Sequence, residues 1–173
     1  MLYLKLTLCV SVLTLCFILA GRAARRDSDS AQCIRALAQS LLLFKNGMLM
    51  QRKTVREMLE QMDASDAKTR AFRDRCLALL EKDAEMPLEK ILKSGAAVLP
   101  ICEKYTGEVR VELGYIGEAM EQTMPQLGAA QLDMACGRLI MLADSAMQRY
   151  RKNLGFYRRM SLLCGAAVCL LVL

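Results

Sequence analysis

The sequence predicts an all-α protein: a bundle of about six helices between an N-terminal and a C-terminal transmembrane helix. Three observations carry this reading. Apolar residues in the middle of the chain recur at spacings of three and four, and no stretch keeps the two-residue alternation of a strand over a useful length. The chain opens with an uncharged run from Leu6 to Gly21 and closes with another from Met160 to Leu173. Each run carries arginines on the side facing the middle: Arg22, Arg25 and Arg26 after the first, Arg158 and Arg159 before the second. The expected organisation is 1–21 as one anchor, 22–156 as a helical bundle and 157–173 as a second anchor.

As a helix, residues 2–21 span about 30 Å at 1.5 Å per residue, the thickness of a hydrocarbon core. Lys5 lies one turn in, where its stem can snorkel to the headgroups. The alternative is a cleavable leader, because ILAGRAA offers small residues near a cleavage position. One lysine before the run and three arginines after it give the polarity opposite to that of an exported downstream part.

The first helix of the middle is expected over about Ser30 to Asn46, with Ile34, Leu37, Leu41 and Phe44 on one stripe and Asn46-Gly47 as its stop. Thr54-Val-Arg-Glu57 is a capping box that opens a short second helix through Met62. Ser65 and Asp66 are N-cap candidates for a third, whose face is Phe72, Cys76, Leu79 and Leu80. Pro87 suits the first turn of a fourth, with Leu88, Ile91, Leu92 and Val98 inward and Pro100 as its end. A fifth is expected from about Thr106 to Met120, carrying Val109, Leu113 and Ile116; Thr123 and Pro125 then start the last.

That last helix has no stop signal before the tail. Leu132, Cys136, Leu139, Ala143, Ala146, Tyr150, Asn153 and Tyr157 recur alternately at four and three, a heptad-like seam rather than a broad core stripe. The seam fits an ordinary bundle helix and an oligomeric coiled coil equally well, which leaves a homo-oligomer open. Fourteen residues of tail span only about 21 Å; starting the span near Phe156 and Tyr157 lengthens it and sets Arg158 and Arg159 at the interface.

Composition narrows the function. Between the apolar ends lie 23 basic and 18 acidic residues, a mild excess far from that of a nucleic-acid-binding surface. The chain has no histidine, so His-dependent triads, His-ligated metals and His general bases are excluded. Of eight cysteines, Cys9, Cys16, Cys164 and Cys169 lie in the apolar ends and Cys33, Cys76, Cys102 and Cys136 stand singly in the middle, without a CxxC. Small buried thiols in a reducing compartment are the expectation. Gly114 and Gly117 follow no predicted strand and do not suggest a phosphate loop. Glu81 with Glu85, and Glu118 with Glu121, can share a helix face, a pairing common on solvated helices. Met48, Met50, Met58 and Met62 read as core filler. No catalytic, cofactor-binding or metal-binding residue is assigned. The arginine flanks place the middle in the cytoplasm and both termini across the membrane by the positive-inside rule.

The layout resembles the stage III sporulation protein AB family. The likeness is closest in RKNLGFYRRMSLLCGAAVCLLVL, at Lys152, Asn153, Tyr157, Arg158 and Gly165; IRALAQSLLLFKNG and MPLEKIL resemble the family's first cytoplasmic helix and mid-domain helix start. The resemblance implies a helical bundle like the cytoplasmic domains of protein F, the inner-membrane platform of type II secretion. It implies a role in endospore formation within a secretion-like channel between mother cell and forespore, in the outer forespore (mother cell) membrane. The partners it implies are a secretion-type ATPase, other membrane proteins of that complex and membrane lipid. An exported or tail-anchored helical regulator that binds partner helices is the competing reading.

Overall fold

The computed structural model describes residues 2–47, 49, 54–62, 67–83 and 85–172, with the side chains of 2–9, 12, 13, 16, 17, 19, 20, 22–24, 157, 158, 164, 165 and 168–172 outside that description. Among the described residues there is no strand. Six α-helices follow in order: α1 (Leu2–Asn46), α2 (Val55–Glu60), α3 (Ala67–Lys82), α4 (Leu88–Gly95), α5 (Glu103–Met120) and α6 (Pro125–Val172), with one 3₁₀ turn at Ala96–Val98 after α4. The chain forms two compact units, one of Met1–Ser28 with Ser145–Leu173 and the other of Asp29–Asp144.

Where a separate helix was expected to begin near Ser30, α1 instead runs unbroken from Leu2. Arg22-Ala-Ala-Arg-Arg contains good helix formers and no proline, so Ser28, Asp29 and Ser30 have no break to cap. Among the described residues no helix is long and apolar enough to cross a membrane. The spans expected over 1–21 and 157–173 are therefore not seen there, and most of those side chains lie outside the description.

Within Asp29–Asp144, the predicted stripe Ile34, Leu37, Leu41 and Phe44 is buried. Arg35 pairs with Asp144 and Lys45 with Asp133, so residues 35–45 of α1 run antiparallel to 133–144 of α6. These half-exposed pairs fix register more than they stabilise, at about 0–1 kcal/mol each. α2 begins with the full capping box, the Thr54 hydroxyl accepting from Glu57 N–H and the Glu57 carboxylate from Thr54 N–H at 2.8 Å. It ends at Glu60, earlier than expected, while Met58 and Met62 are buried; Met48 and Met50 lie outside the described residues. So do the N-cap candidates Ser65 and Asp66. On α3, Phe72, Cys76 and Thr69 are buried, whereas Leu79 and Leu80 are only partly covered.

Pro87 is the N-cap of α4 rather than its first turn, and Leu88, Ile91 and Leu92 point inward as expected. Val98 does not: it is 44% exposed. The 3₁₀ turn, at three residues per turn, shifts the phase after Gly95 and brings Leu99 into the core instead. α5 starts at Glu103, three residues before the expected position, and buries Tyr105, Val109, Leu113 and Ile116. In α6, Pro125 occupies the first turn, and the Gly128 N–H donates to the Met124 carbonyl at 3.1 Å, which puts Met124 rather than Thr123 at the cap position.

Candidate functional site

Two helix starts in the Asp29–Asp144 unit draw on distant parts of the chain. α4 has no capping side chain of its own at Pro87. Glu121, at the end of α5, supplies it: its Oε1 accepts the Leu88 N–H at 2.6 Å. α5 likewise lacks a local side-chain cap at Cys102, and the buried Ser30 hydroxyl on α1 accepts the Cys102 N–H at 3.1 Å. These two bonds cross 33 and 72 residues of sequence. They satisfy backbone donors that would otherwise be orphaned at the helix starts.

The same corner explains Gly114 and Gly117. A Cβ on Gly117 would come within 2.5 Å of the Glu89 Cα and N and 3.0 Å of the Leu88 carbonyl carbon, and one on Gly114 within 2.4 Å of Lys93 Cε. Gly117 lies where the α5 backbone meets the first turn of α4, and Gly114 where it meets the Lys93 side chain one turn on. Gly95 plays the corresponding role toward α3, with a Cβ there 2.6 Å from Cys76 Sγ. Sequence reading set Gly114 and Gly117 aside for want of a strand; their spacing on one helix face was the signal of a close crossing.

One member of each carboxylate pair is engaged elsewhere. Glu81 meets Arg56 at 3.2 Å across α2 and α3, and Glu121 caps α4. Cys33, Cys76 and Cys136 are buried thiols, and Cys102 is half-buried. Burial pushes Cys76 and Cys136 up to about 12, with Asp133 adding to the shift of Cys136. Such thiols are poor nucleophiles at neutral pH. The Cys76 thiol lies 3.9 Å from the Ile91 carbonyl, which it can donate to.

The seam residues Leu132, Cys136, Leu139, Ala143 and Ala146 are at most 1% exposed within a single chain, and Tyr150 is half-covered. Leu132, Cys136, Leu139 and Ala143 are thus packed within the Asp29–Asp144 unit. The arginines expected to set the topology lie in the other unit. Arg25, Arg26 and Arg159 are exposed, together with Arg149, Arg151 and Lys152, while the side chains of Arg22 and Arg158 lie outside the described residues. Met1–Ser28 with Ser145–Leu173 contains nine basic residues and one acidic residue, a net +8; Asp29–Asp144 has fifteen basic and seventeen acidic, a net −2. The positive charge of the chain is thus collected in the unit that holds both apolar runs.

The family model for stage III sporulation protein AB (spore_III_AB) matches residues 5–173. No curated protein matches the chain, and no solved structure does.

Proposed function

Because the chain belongs to the stage III sporulation protein AB family, we propose that it is a non-catalytic membrane platform subunit of a secretion-like complex acting in endospore formation. In this reading it links a cytoplasmic secretion-type ATPase to membrane components of a channel between mother cell and forespore. It is a two-pass protein of the outer forespore (mother cell) membrane, with 22–156 cytoplasmic and both termini outside.

The observation that carries the membrane part is the concentration of basic residues in the unit that holds both apolar runs. Cytoplasmic flanks of membrane spans carry such an excess. Juxtamembrane basic residues also gain about 1 kcal/mol each near an anionic leaflet. Within the Asp29–Asp144 unit, a framework role is supported by polar side chains that serve the fold: Ser30 and Glu121 start helices, and Arg35, Lys45 and Arg56 hold neighbouring helices.

The test is an epitope tag placed after Leu173 and exposed to protease from the cytoplasmic side in inverted vesicles. The parent tag is protected. A carboxylate at the middle of the tail costs insertion about 2.5–3.5 kcal/mol, large against the few tenths of a kcal/mol that each apolar residue contributes, so Ala167→Asp leaves the tag digested. Equal digestion of the two would show that the tail does not cross, and the two-pass reading would fall.

A further inference from the structure

On the side of α6 opposite the buried seam, Leu127, Ala130, Met134, Gly137 and Met141 follow one another at spacings of three, four, three and four. This is a second heptad pattern, and it is open to solvent: Leu127 is 49%, Met134 58% and Met141 71% exposed. We propose that this ridge is the surface through which two copies of the chain associate, α6 against α6 in parallel.

The charges beside the ridge select a second copy and set its direction. With Leu127, Met134 and Met141 at position a, Ala130 and Gly137 fall at d, Asp133 at g and Arg138 at the following e. In a parallel pair, a g residue faces the e′ residue five positions later on its partner. Asp133 and Arg138 are five apart and opposite in sign, so two-fold symmetry creates the attractive pair twice. Both side chains are nearly half exposed, and both are held at the edge of the ridge: Lys45 engages Oδ2 of Asp133, and Glu112 engages Nε of Arg138 at 2.7 Å. A carboxylate has a second oxygen and a guanidinium further N–H donors, so each can accept another partner.

A Cβ on Gly137 would meet nothing within 4 Å, so the helix backbone is open to close approach there. Asp144 takes the next d position, where two carboxylates would oppose each other, and it ends the ridge. From Leu127 to Met141 is about 21 Å of helix. Three large side chains over that length fall short of the roughly 800 Å² per partner of a standard stable interface, so the pair forms where local concentration is high and dissociates on dilution.

The test uses the full chain, oxidised in intact cells before lysis, with each new link located by the mass of the joined peptide against the parent's own eight cysteines. Leu127→Cys, Met134→Cys and Met141→Cys should each link to itself well above the exposed control Glu108→Cys. Linking at Met134→Cys alone would mean an antiparallel pair. Linking at none, or equally at the control, would mean that a second copy does not sit there. All three results overturn the proposal.

Within Met134→Cys, Asp133→Arg or Arg138→Asp should lower the linked fraction about tenfold, by turning two attractive pairs repulsive. The double reversal should restore it. Within one chain, however, the double reversal still sets a guanidinium at position 133 against Lys45 and a carboxylate at position 138 against Glu112. A purely intramolecular role therefore predicts that it links no better than either single change. That outcome also overturns the proposal.

Discussion

Two glycines of one helix make a controlled experiment. Gly107 and Gly117 both lie inside α5, and alanine at either should gain about 1 kcal/mol of helix propensity. A Cβ at position 107 meets nothing within 4 Å, so that gain is kept. At 117 it would press against the Glu89 Cα and N at 2.5 Å, and these are backbone atoms with no rotamer to move into. Relief requires α4 to back away from α5. Overpacking of this kind costs about 1–3 kcal/mol. The displacement also lengthens the 2.6 Å bond from Leu88 N–H to Glu121, worth about 1 kcal/mol as a helix cap.

Adding these terms, Gly117→Ala should lose about 2 kcal/mol net and Gly107→Ala gain up to about 1 kcal/mol, a gap near 3 kcal/mol. Urea unfolding of the fragment 28–149, followed by helical circular dichroism, would resolve it as a midpoint difference of about 1–2 M for a slope near 2 kcal/mol per M. If the two variants shift together, or if Gly117→Ala is as stable as the parent, then α5 does not lie on the α4 backbone and the role given to this glycine pair is wrong.

Glu121→Ala and Thr54→Ala each remove a helix-start bond and should cost about 0.5–2 kcal/mol in the same unfolding assay, although one cap is local and the other comes from another helix. The folded thiols of Cys76 and Cys136 titrate near 12 rather than 9, so their contribution is fully present below pH 9 and is lost as pH rises toward 12. Each should remove about 2 kcal/mol by pH 10.5, and Cys76→Ala or Cys136→Ala should flatten the fall in stability between pH 9 and 11; an unchanged slope would mean that the thiol is not buried.

What could be read from sequence was whatever depends on neighbours along one helix. The Ile34–Phe44 stripe, the Thr54–Glu57 capping box and the inward face of α5 follow from spacing and local side-chain chemistry, and the structure has them. What could not be read depends on partners distant in sequence. Glu121 looked like half of a surface carboxylate pair until the start of α4 was seen 33 residues away in sequence. Gly117 needed α4 beside it to have a purpose. Val98 went astray because a periodicity of 3.6 was carried through a turn with three residues per turn. On α6 the heptad signal occurs twice, and sequence alone gave no means of ranking a seam with small buried residues against a ridge with exposed methionines.

The distribution of charge bears on how the two units share the proposed work. A protein held to a membrane by basic residues alone would lose its hold as salt screens them, because exposed charges interact over only about 8–10 Å at physiological ionic strength. In the proposed two-pass topology the same unit also carries two apolar runs, of sixteen and fourteen residues, whose burial in lipid salt would not screen. In that topology the arginines at the inner edges of those runs would act chiefly on direction, since carrying them across would cost far more than leaving them where they are. The Asp29–Asp144 unit, at net −2, gains nothing from an anionic surface, and Ser30, Glu121, Arg35, Lys45 and Arg56 serve its own helix starts and ion pairs. Its exposed apolar ridge is therefore better explained by a protein neighbour than by lipid, and a platform made of repeated copies would supply that neighbour at high local concentration.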